Sequence, residues 1–130
     1  MANSLTTQII VNGARNAVVR VVGIIDTSDI AATTIVDPAS YVPVPTEFRV
    51  DRVQYQVEDG ISVRLDWDAS TDVYLGTFVD AGDADYRRFG GITNNASTGK
   101  TGKIELSTEG WAASGVYAFT LVISMTKMGV

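Results

Sequence analysis

Alternation of apolar and polar residues recurs along the chain and predicts β-strands. In the stretch ISVRLDWD (61–68), every second residue is apolar and is expected to face a core, while the residues between them face water. The stretch VYAFTLVISM (116–125) repeats this alternation, but its second face is also partly apolar, so a strand covered on both faces is expected. The residues predicted to face inward are Ile61, Val63, Leu65, Trp67, Tyr117, Phe119, Leu121, Ile123 and Met125.

Local breaks in the alternation predict where strands bend, turn or change phase. In FRVDRVQYQVE the inward positions shift by one near Asp51, which predicts a β-bulge. Asp59 and Gly60 lie between this run and ISVRLDWD, so a tight β-hairpin is expected there. In NAVVRVVGII, Gly23 interrupts a β-branched run and predicts a bend.

The remaining segments complete an all-β pattern. Short strand-like segments are TQIIV, TTIV, DVYLGTF and KIEL, whereas VDPASYVPVPTE holds all three prolines and predicts an extended crossover. No segment predicts a helix longer than the single turn that SDIAATT could form. About eight or nine short strands predict an antiparallel β-sandwich, jelly-roll-like in topology. Residues 1–14 are expected to form an N-terminal arm or first strand, and residues 15–130 a single β-sandwich domain.

The composition removes several kinds of chemistry. The 130 residues include no cysteine and no histidine, which excludes disulfides, thiolate metal sites and the usual general base near neutral pH. The net charge is −5 and the basic residues are scattered, so nucleic acid and anionic membranes are not expected partners. Hydrophobic residues make up 45% of the chain, which indicates a protein partner or further copies of the chain.

One short segment has the appearance of a nucleotide-binding loop. The run Gly99-Lys100-Thr101 matches the end of a P-loop, but the motif's first glycine would be Asn94 here. A P-loop also opens a helix, whereas Lys103 leads into the strand-like KIEL. The segment is therefore interpreted as a polar turn.

The acidic residues offer no arrangement typical of catalysis or metal binding. In DAGDADY, Asp83 and Asp85 have the spacing of calcium ligands, but the glycine and the distal glutamate that complete a calcium loop do not follow them. Asp66 and Asp68 lie on one wet strand face, so they do not flank a cleft as a glycosidase pair does. The prediction is that the protein is not an enzyme and has no catalytic residue, no cofactor and no metal ligand. The N-terminus has no secretory pattern and no stretch is long enough to span a membrane, so cytoplasmic synthesis and no membrane partner are expected.

Three stretches resemble small virion structural proteins of tailed bacteriophages. They are VEDGISVRLDWDAS, YRRFGGITNNA and STEGWAASGVYAFTLVISMTK, within a similarity that extends over residues 18–128. In that group such chains are decoration, or cement, proteins on the outside of the capsid. The resemblance implies an all-β fold, often a jelly roll, self-association as dimers or trimers, and binding to the major capsid protein. It also implies a location on the outer surface of the virion after synthesis in the host cytoplasm.

Candidate contact residues for such a role lie in three segments. The N-terminal segment has apolar residues ahead of the first clear strand, and YRRFGG combines aromatic residues with arginine, a composition enriched at interface cores. Trp111 lies in the small-residue loop EGWAASG and is expected to pack in the core or at an interface. The candidate protein-contact residues are Leu5, Ile9, Ile10, Tyr86, Arg87, Arg88, Phe89 and Trp111.

The aromatic residues leave a second function open. Flat aromatic side chains on a β-sandwich can stack on sugar rings, so a carbohydrate-binding domain, such as a tail adhesin or display domain, is the alternative. Trp67 is expected in the core because of its inward position, which leaves Trp111, Tyr74 and Tyr86 as the aromatic residues to consider.

Overall fold

The computed structural model describes residues 3–129, and these form nine β-strands in two antiparallel sheets. Single turns of 3-10 helix occupy Pro38–Ser40 and Arg87–Phe89. Within this part of the chain, no helix is long and apolar enough to cross a membrane. The strands are β1 (Ser4–Asn12), β2 (Asn16–Ile25), β3 (Thr33–Val36), β4 (Glu47–Val57), β5 (Ser62–Trp67), β6 (Val73–Phe78), β7 (Ala81–Asp85), β8 (Ile104–Glu109) and β9 (Tyr117–Met128).

The strand order is that of a jelly roll. The five-stranded sheet has the order β1-β2-β9-β4-β7, and the four-stranded sheet has the order β3-β8-β5-β6. The antiparallel pairs β2·β9, β3·β8, β4·β7 and β5·β6 are nested within one another along the chain. Successive nested pairs alternate between the two sheets, which is how a long folded ribbon wraps into two packed Greek keys. The prediction of an all-β antiparallel sandwich is confirmed.

The core lies between the two sheets and contains the residues that the alternation predicted. Ile61, Val63, Leu65 and Trp67 are at most 5% exposed, and the inward residues of β9 from Phe119 to Met125 are equally buried. Tyr117 is only half-buried. Each large side chain buried in this way contributes roughly 1.5–3 kcal/mol relative to an exposed position. The second face of β9 lies on the outside of the sandwich, and among residues 3–129 no further strand or helix packs over it, so the expectation of a doubly covered strand is wrong.

Two predictions of chain geometry have different outcomes. The β-bulge is confirmed, because the register of β4 against β9 shifts between Val50 and Arg52. The hairpin is wrong, although its turn exists: Gly60 has φ +102° and turns the chain, but β4 and β5 lie in different sheets. Alternation shows only that one face of each strand is buried. Two successive strands can bury those faces either as neighbours in one sheet or as members of the two opposite sheets.

Strand β7 was not predicted from the sequence. Its residues AGDAD are poor strand formers, and the segment was considered only as a calcium-like loop. It forms a strand because it pairs with β4 from Arg52 to Gln56, and the guanidinium of Arg52 binds the carboxylate of Asp83. Tertiary pairing therefore overrides local propensity at this edge.

Gly23 lies in a regular part of β2 and does not produce the predicted bend. It is paired with Leu5 on one side and Phe119 on the other without any register shift at that point. A Cβ atom at position 23 would collide with the aromatic ring of Phe119, which is 1% exposed. The glycine is therefore required for close packing against a core aromatic ring.

Substitution Gly23→Ala is expected to destabilise the fold by about 1–3 kcal/mol, because the added methyl group overpacks a core that has no room for it. Thermal or denaturant unfolding of the purified protein measures this change. In a Phe119→Leu background the ring is absent, so the same substitution should cost much less. An equal cost in both backgrounds would contradict the proposed contact.

Candidate protein-contact surfaces

The predicted contact residues fall in three separate places in the fold. Leu5, Ile9 and Ile10 lie on β1, at one edge of the five-stranded sheet, while Arg87–Phe89 directly follows β7 at the opposite edge. Four inter-strand spacings separate these edges, or about 19 Å. Trp111 lies in the loop between β8 and β9, where its backbone bonds to Asp29. All eight residues remain predicted contacts.

Strand β1 is exposed on both faces along most of its length. Ile9, Ile10 and Val11 are 39%, 50% and 42% exposed, and only Leu5 is half-buried. The register against β2 shifts between Ile9 and Val11, so Ile10 is the extra residue of a β-bulge. The inward side of β1 lines a groove of about 310 Å³ between the sheets, together with Val19, Ile35 and Tyr41.

Asparagine side chains hold both ends of β1 in place. The Oδ1 atom of Asn3 accepts hydrogen bonds from the backbone N–H groups of Asp26 and Thr27, at 2.8 and 3.1 Å. At the other end, the Oδ1 atom of Asn12 accepts a 2.8 Å hydrogen bond from Nζ of Lys127. The strand is therefore fixed in position although its side chains are exposed.

The side chain of Lys127 is buried, and its ammonium contacts Asn12. The residue is 4% exposed, and its Nζ lies 5.9 Å from the ring centroid of Tyr41, in the range of a cation–π interaction. Burial raises the pKa of Tyr41 to about 12, so the ring beside the ammonium stays a neutral phenol in ordinary buffers. Asn12 supplies the hydrogen-bond acceptor for this charge.

Substitution Asn12→Ala is expected to destabilise the protein by about 1–3 kcal/mol, because it leaves the Lys127 ammonium buried without that acceptor. Faster amide hydrogen exchange should accompany the loss at the end of β1. The double variant Asn12→Ala, Lys127→Met removes both partners and should recover most of the stability. If the double variant were as unstable as the single one, the hydrogen bond would not be the cause.

The Arg87–Phe89 turn presents both a cation and an aromatic ring to solvent. Arg87 is ion-paired with Asp85 at 2.6 Å, and this arginine lowers the pKa of the Asp85 carboxyl through hydrogen bonds from its side chain and backbone. Arg88 is exposed and has no ion-pair partner within residues 3–129, while Phe89 is 67% exposed. Arg88 and Phe89 are therefore the members of this segment that are available to a partner.

Tyr86 and Trp111 are held largely by their own surroundings. Tyr86 packs against the core, and burial raises the pKa of its hydroxyl. The Nε1 atom of Trp111 donates a 3.0 Å hydrogen bond to the carbonyl oxygen of Gly115, and its backbone N–H donates to the carboxylate of Asp29. Both aromatic residues are half-buried, so each offers one edge to a partner rather than a free ring.

The outer face of the five-stranded sheet carries its charged side chains mainly on β4 and β7, among them Arg49, Arg52 and Asp83. On the five-stranded sheet, the outer face of β1, β2 and β9 carries one charged side chain among the described residues, Arg20. We call this surface the neutral face; its residues are Thr6, Gln8, Val18, Val22, Ile24, Thr120, Val122 and Ser124. The sequence signal for it is the second, partly apolar face of VYAFTLVISM, from which a strand covered on both faces is expected.

The outer face of the four-stranded sheet is acidic. Its cations include Arg64 and Lys103, and Arg64 lies 4.7 Å from the ring centroid of Tyr74, one face of which it covers. We call this surface the acidic face; its carboxylates belong to Asp66, Asp68, Asp72, Glu105 and Glu109. The opposed neutral and acidic faces give the molecule two chemically different sides.

Three carboxylates of the acidic face crowd together at one end. Oxygen atoms of Asp68, Asp72 and Glu105 lie within 4.8 Å of one another. Partial burial raises the pKa of Glu105, and the neighbouring charges of Asp72, Asp68 and Asp66 raise it further. Glu105 is far from these aspartates in the sequence, and it comes opposite Asp66 only when β8 pairs with β5 in the folded sheet. Exposed acidic groups of this kind are common without a bound ion. Their main effect here is that the three carboxylates repel one another.

Substitution Glu105→Gln is expected to raise stability at pH 7 by about 0.5 kcal/mol, the usual scale for a surface site. Because the folded-state pKa of Glu105 is raised, its ionisation disfavours the folded state as the pH rises through that pKa. The gain should therefore vanish well below the ordinary pKa of glutamate, where the carboxyl is already neutral. Unfolding curves over a pH series test this, with Glu109→Gln as the control on the same strand.

No protein-family model matches this chain, and no curated protein matches it. The contact surfaces are consequently defined by their own geometry and charge.

Proposed function

We propose that this protein is a structural virion protein that binds the outside of a bacteriophage capsid and stabilises it by bridging major capsid protein subunits. The observation that carries the proposal is the position of two exposed contact segments, β1 and Arg87–Phe89, at opposite edges of one sheet. Two surfaces separated by about 19 Å allow one molecule to contact two neighbours, either two capsid subunits or one subunit and another copy.

A bridge of this kind stabilises a shell by adding buried area across its seams. Packaged DNA pushes the capsid subunits apart, and each additional contact across a seam must be broken before the subunits separate. One such contact is weak when it lies below the size of a standard interface. Repetition over a closed shell makes the combined attachment far stronger than a single contact.

The unequal faces support a role at a surface. The neutral face can approach another protein without repulsion, whereas the acidic face repels nucleic acid and other acidic surfaces. An outward acidic face would keep particles from binding released DNA. Jelly rolls are frequent among viral capsid domains, but the fold hosts many functions, so the proposal depends on the surfaces.

The alternative of a carbohydrate-binding domain has less support from the aromatic residues. The indole of Trp111 is half-buried and hydrogen-bonded to Gly115, and Arg64 covers one face of the ring of Tyr74, which is 54% exposed. A sugar ring needs a free aromatic face on which to stack. In the proposed role the protein is not an enzyme, requires no cofactor, and acts on the outer surface of the virion.

Particles that lack this protein are expected to release DNA at a lower temperature than particles that carry it. A fluorescent DNA-binding dye, added during a temperature ramp, measures the release temperature. Adding back the purified protein should restore the higher value. An unchanged release temperature would count against a stabilising role.

The variant Arg88→Glu, Phe89→Ala is expected to bind such particles at least tenfold more weakly, because it removes an arginine and an aromatic side chain of the type that dominates interfaces. The control is Val79→Ala, which removes an exposed apolar side chain from the loop between β6 and β7. Co-sedimentation with particles measures both affinities. Equal binding by the two variants would exclude the Arg87–Phe89 turn as a contact.

A further inference from the structure

We propose that β1 pairs antiparallel with β1 of a second copy of this chain, so that two five-stranded sheets join into one ten-stranded sheet. The inference deepens the proposed function, since it assigns one of the two edge surfaces to self-association. It concerns a property of the isolated protein, so it can be tested without a capsid.

Among the four edge strands of the described sandwich, β1 is the least protected against pairing with another chain. An exposed edge carries unpaired N–H and C=O groups, and proteins usually protect it with charges, bulges or short strands. Strand β7 carries Asp83 and Asp85, β3 has only four residues, and β6 is six residues long with its register shifted beside Tyr74. Strand β1 has nine residues, no proline and no charged side chain.

The bulge of β1 lies near one end and leaves a regular stretch for pairing. Residues 4–9 match β2 without a register shift, and the bulge residue Ile10 follows them. Asn3 and Asn12 hold the two ends of the strand, so its free edge is already extended before a partner arrives. Pairing therefore requires little further ordering of the backbone.

Charge favours a second copy at this edge. With a net charge of −5, two copies repel each other, and their contact must avoid acidic groups. The neutral face and the uncharged strand β1 are adjacent, so a pair joined through β1 brings neutral surfaces together. The acidic face belongs to the other sheet and stays outside such a contact.

When two copies of β1 run antiparallel, side chains of similar type lie opposite each other. An antiparallel pair in one continuous sheet places residues of the same face opposite each other. With Thr7 on the twofold axis, Leu5 of each copy lies opposite Ile9 of the other. Cross-strand apolar pairs and threonine pairs both stabilise a sheet. In this register the inward side chains of β1, which line the 310 Å³ groove, lie beside the inward side chains of the second copy.

The expected dimer is weak in isolation. A paired stretch of five or six residues is roughly 20 Å long and, at a sheet thickness of about 10 Å, covers less than a standard interface of about 800 Å² per partner. A dissociation constant in the micromolar range is therefore expected. On a repetitive surface, where neighbouring copies are held close together, the same contact is strengthened by high local concentration.

Joining through β1 also fixes where the other contact segments lie. In a ten-stranded sheet, the two Arg87–Phe89 turns are at the far edges, about 43 Å apart from nine strand spacings. A pair of molecules would then span a wider distance than one molecule, with both turns free to bind capsid subunits.

Cysteine crosslinking of the purified protein tests the pairing and its register, since the native chain has no cysteine. At the proposed register, the Cα atoms of two Thr7→Cys residues are about 4.5–5.5 Å apart, within disulfide range. Mild oxidation should therefore crosslink Thr7→Cys. It should not crosslink Leu5→Cys, whose copies lie four residues apart along the strands, about 13 Å. Efficient crosslinking of the exposed control Gln54→Cys on β4, or none at any β1 position, would overturn the proposal.

Sedimentation velocity gives an independent measurement. The protein should shift from monomer to dimer between about 1 and 200 µM, on the scale of a weak interface. Thr7→Lys, which places like charges opposite each other, should remain monomeric, while the matched variant Gln54→Lys should dimerise normally. A wild-type protein that stays monomeric at 200 µM overturns self-pairing, even if it binds capsids. A protein that dimerises but does not bind capsids would instead refute the proposed function alone.

Discussion

The pairing of β2 with β9 is the contact on which the rest of this structure depends. The two strands match over ten consecutive residue pairs without a register shift, from Asn16–Thr126 to Ile25–Tyr117. This ladder joins the two ends of the chain, and the pairs β3·β8, β4·β7 and β5·β6 are nested inside it. Gly23 and Phe119 meet within the ladder, so its register is fixed by close packing as well as by backbone hydrogen bonds. Because such pairs are far apart in sequence, loop-closure entropy opposes their formation and the core must compensate for it.

The closed ladder also determines the chemistry of the two sides. Once the inward residues are buried between the sheets, every second residue of each strand must face outward. On β2 and β9 these outward residues are small, β-branched and mostly uncharged, whereas on β5 and β8 they include Asp66, Glu105 and Glu109. The uncharged surface of β1, β2 and β9 and the carboxylates of β5 and β8 are therefore kept apart because these strands belong to different sheets, although β4 and β7 add charges such as Arg52 and Asp83 to the first sheet. This separation is the basis for expecting one side to contact protein and the other to remain in solvent.

The edges of the five-stranded sheet carry the proposed contact segments for a related reason. A jelly roll of eight strands would end this sheet at β2, and β1 adds one strand beyond it. The added strand extends past the edge of the opposite sheet, which leaves both of its faces open. At the other edge, β7 is held by the Arg52–Asp83 ion pair and leads directly into the exposed Arg88 and Phe89. Both surfaces follow from strand order and not from a local motif.

The alternation along the chain was sufficient to predict the β class, the inward residues from Ile61 to Trp67, and the bulge after Val50, because each depends only on which side of a strand a residue faces. Pairing was decided by the tertiary structure alone. It placed β4 and β5 in different sheets despite the Asp59-Gly60 turn, made a strand of the weakly strand-forming residues of β7, and brought Glu105 beside Asp68 and Asp72. These features depend on contacts between segments that are distant in the sequence. Burial of one face produces the same alternation of residues whichever strand lies beside it, so the alternation cannot specify the pairing.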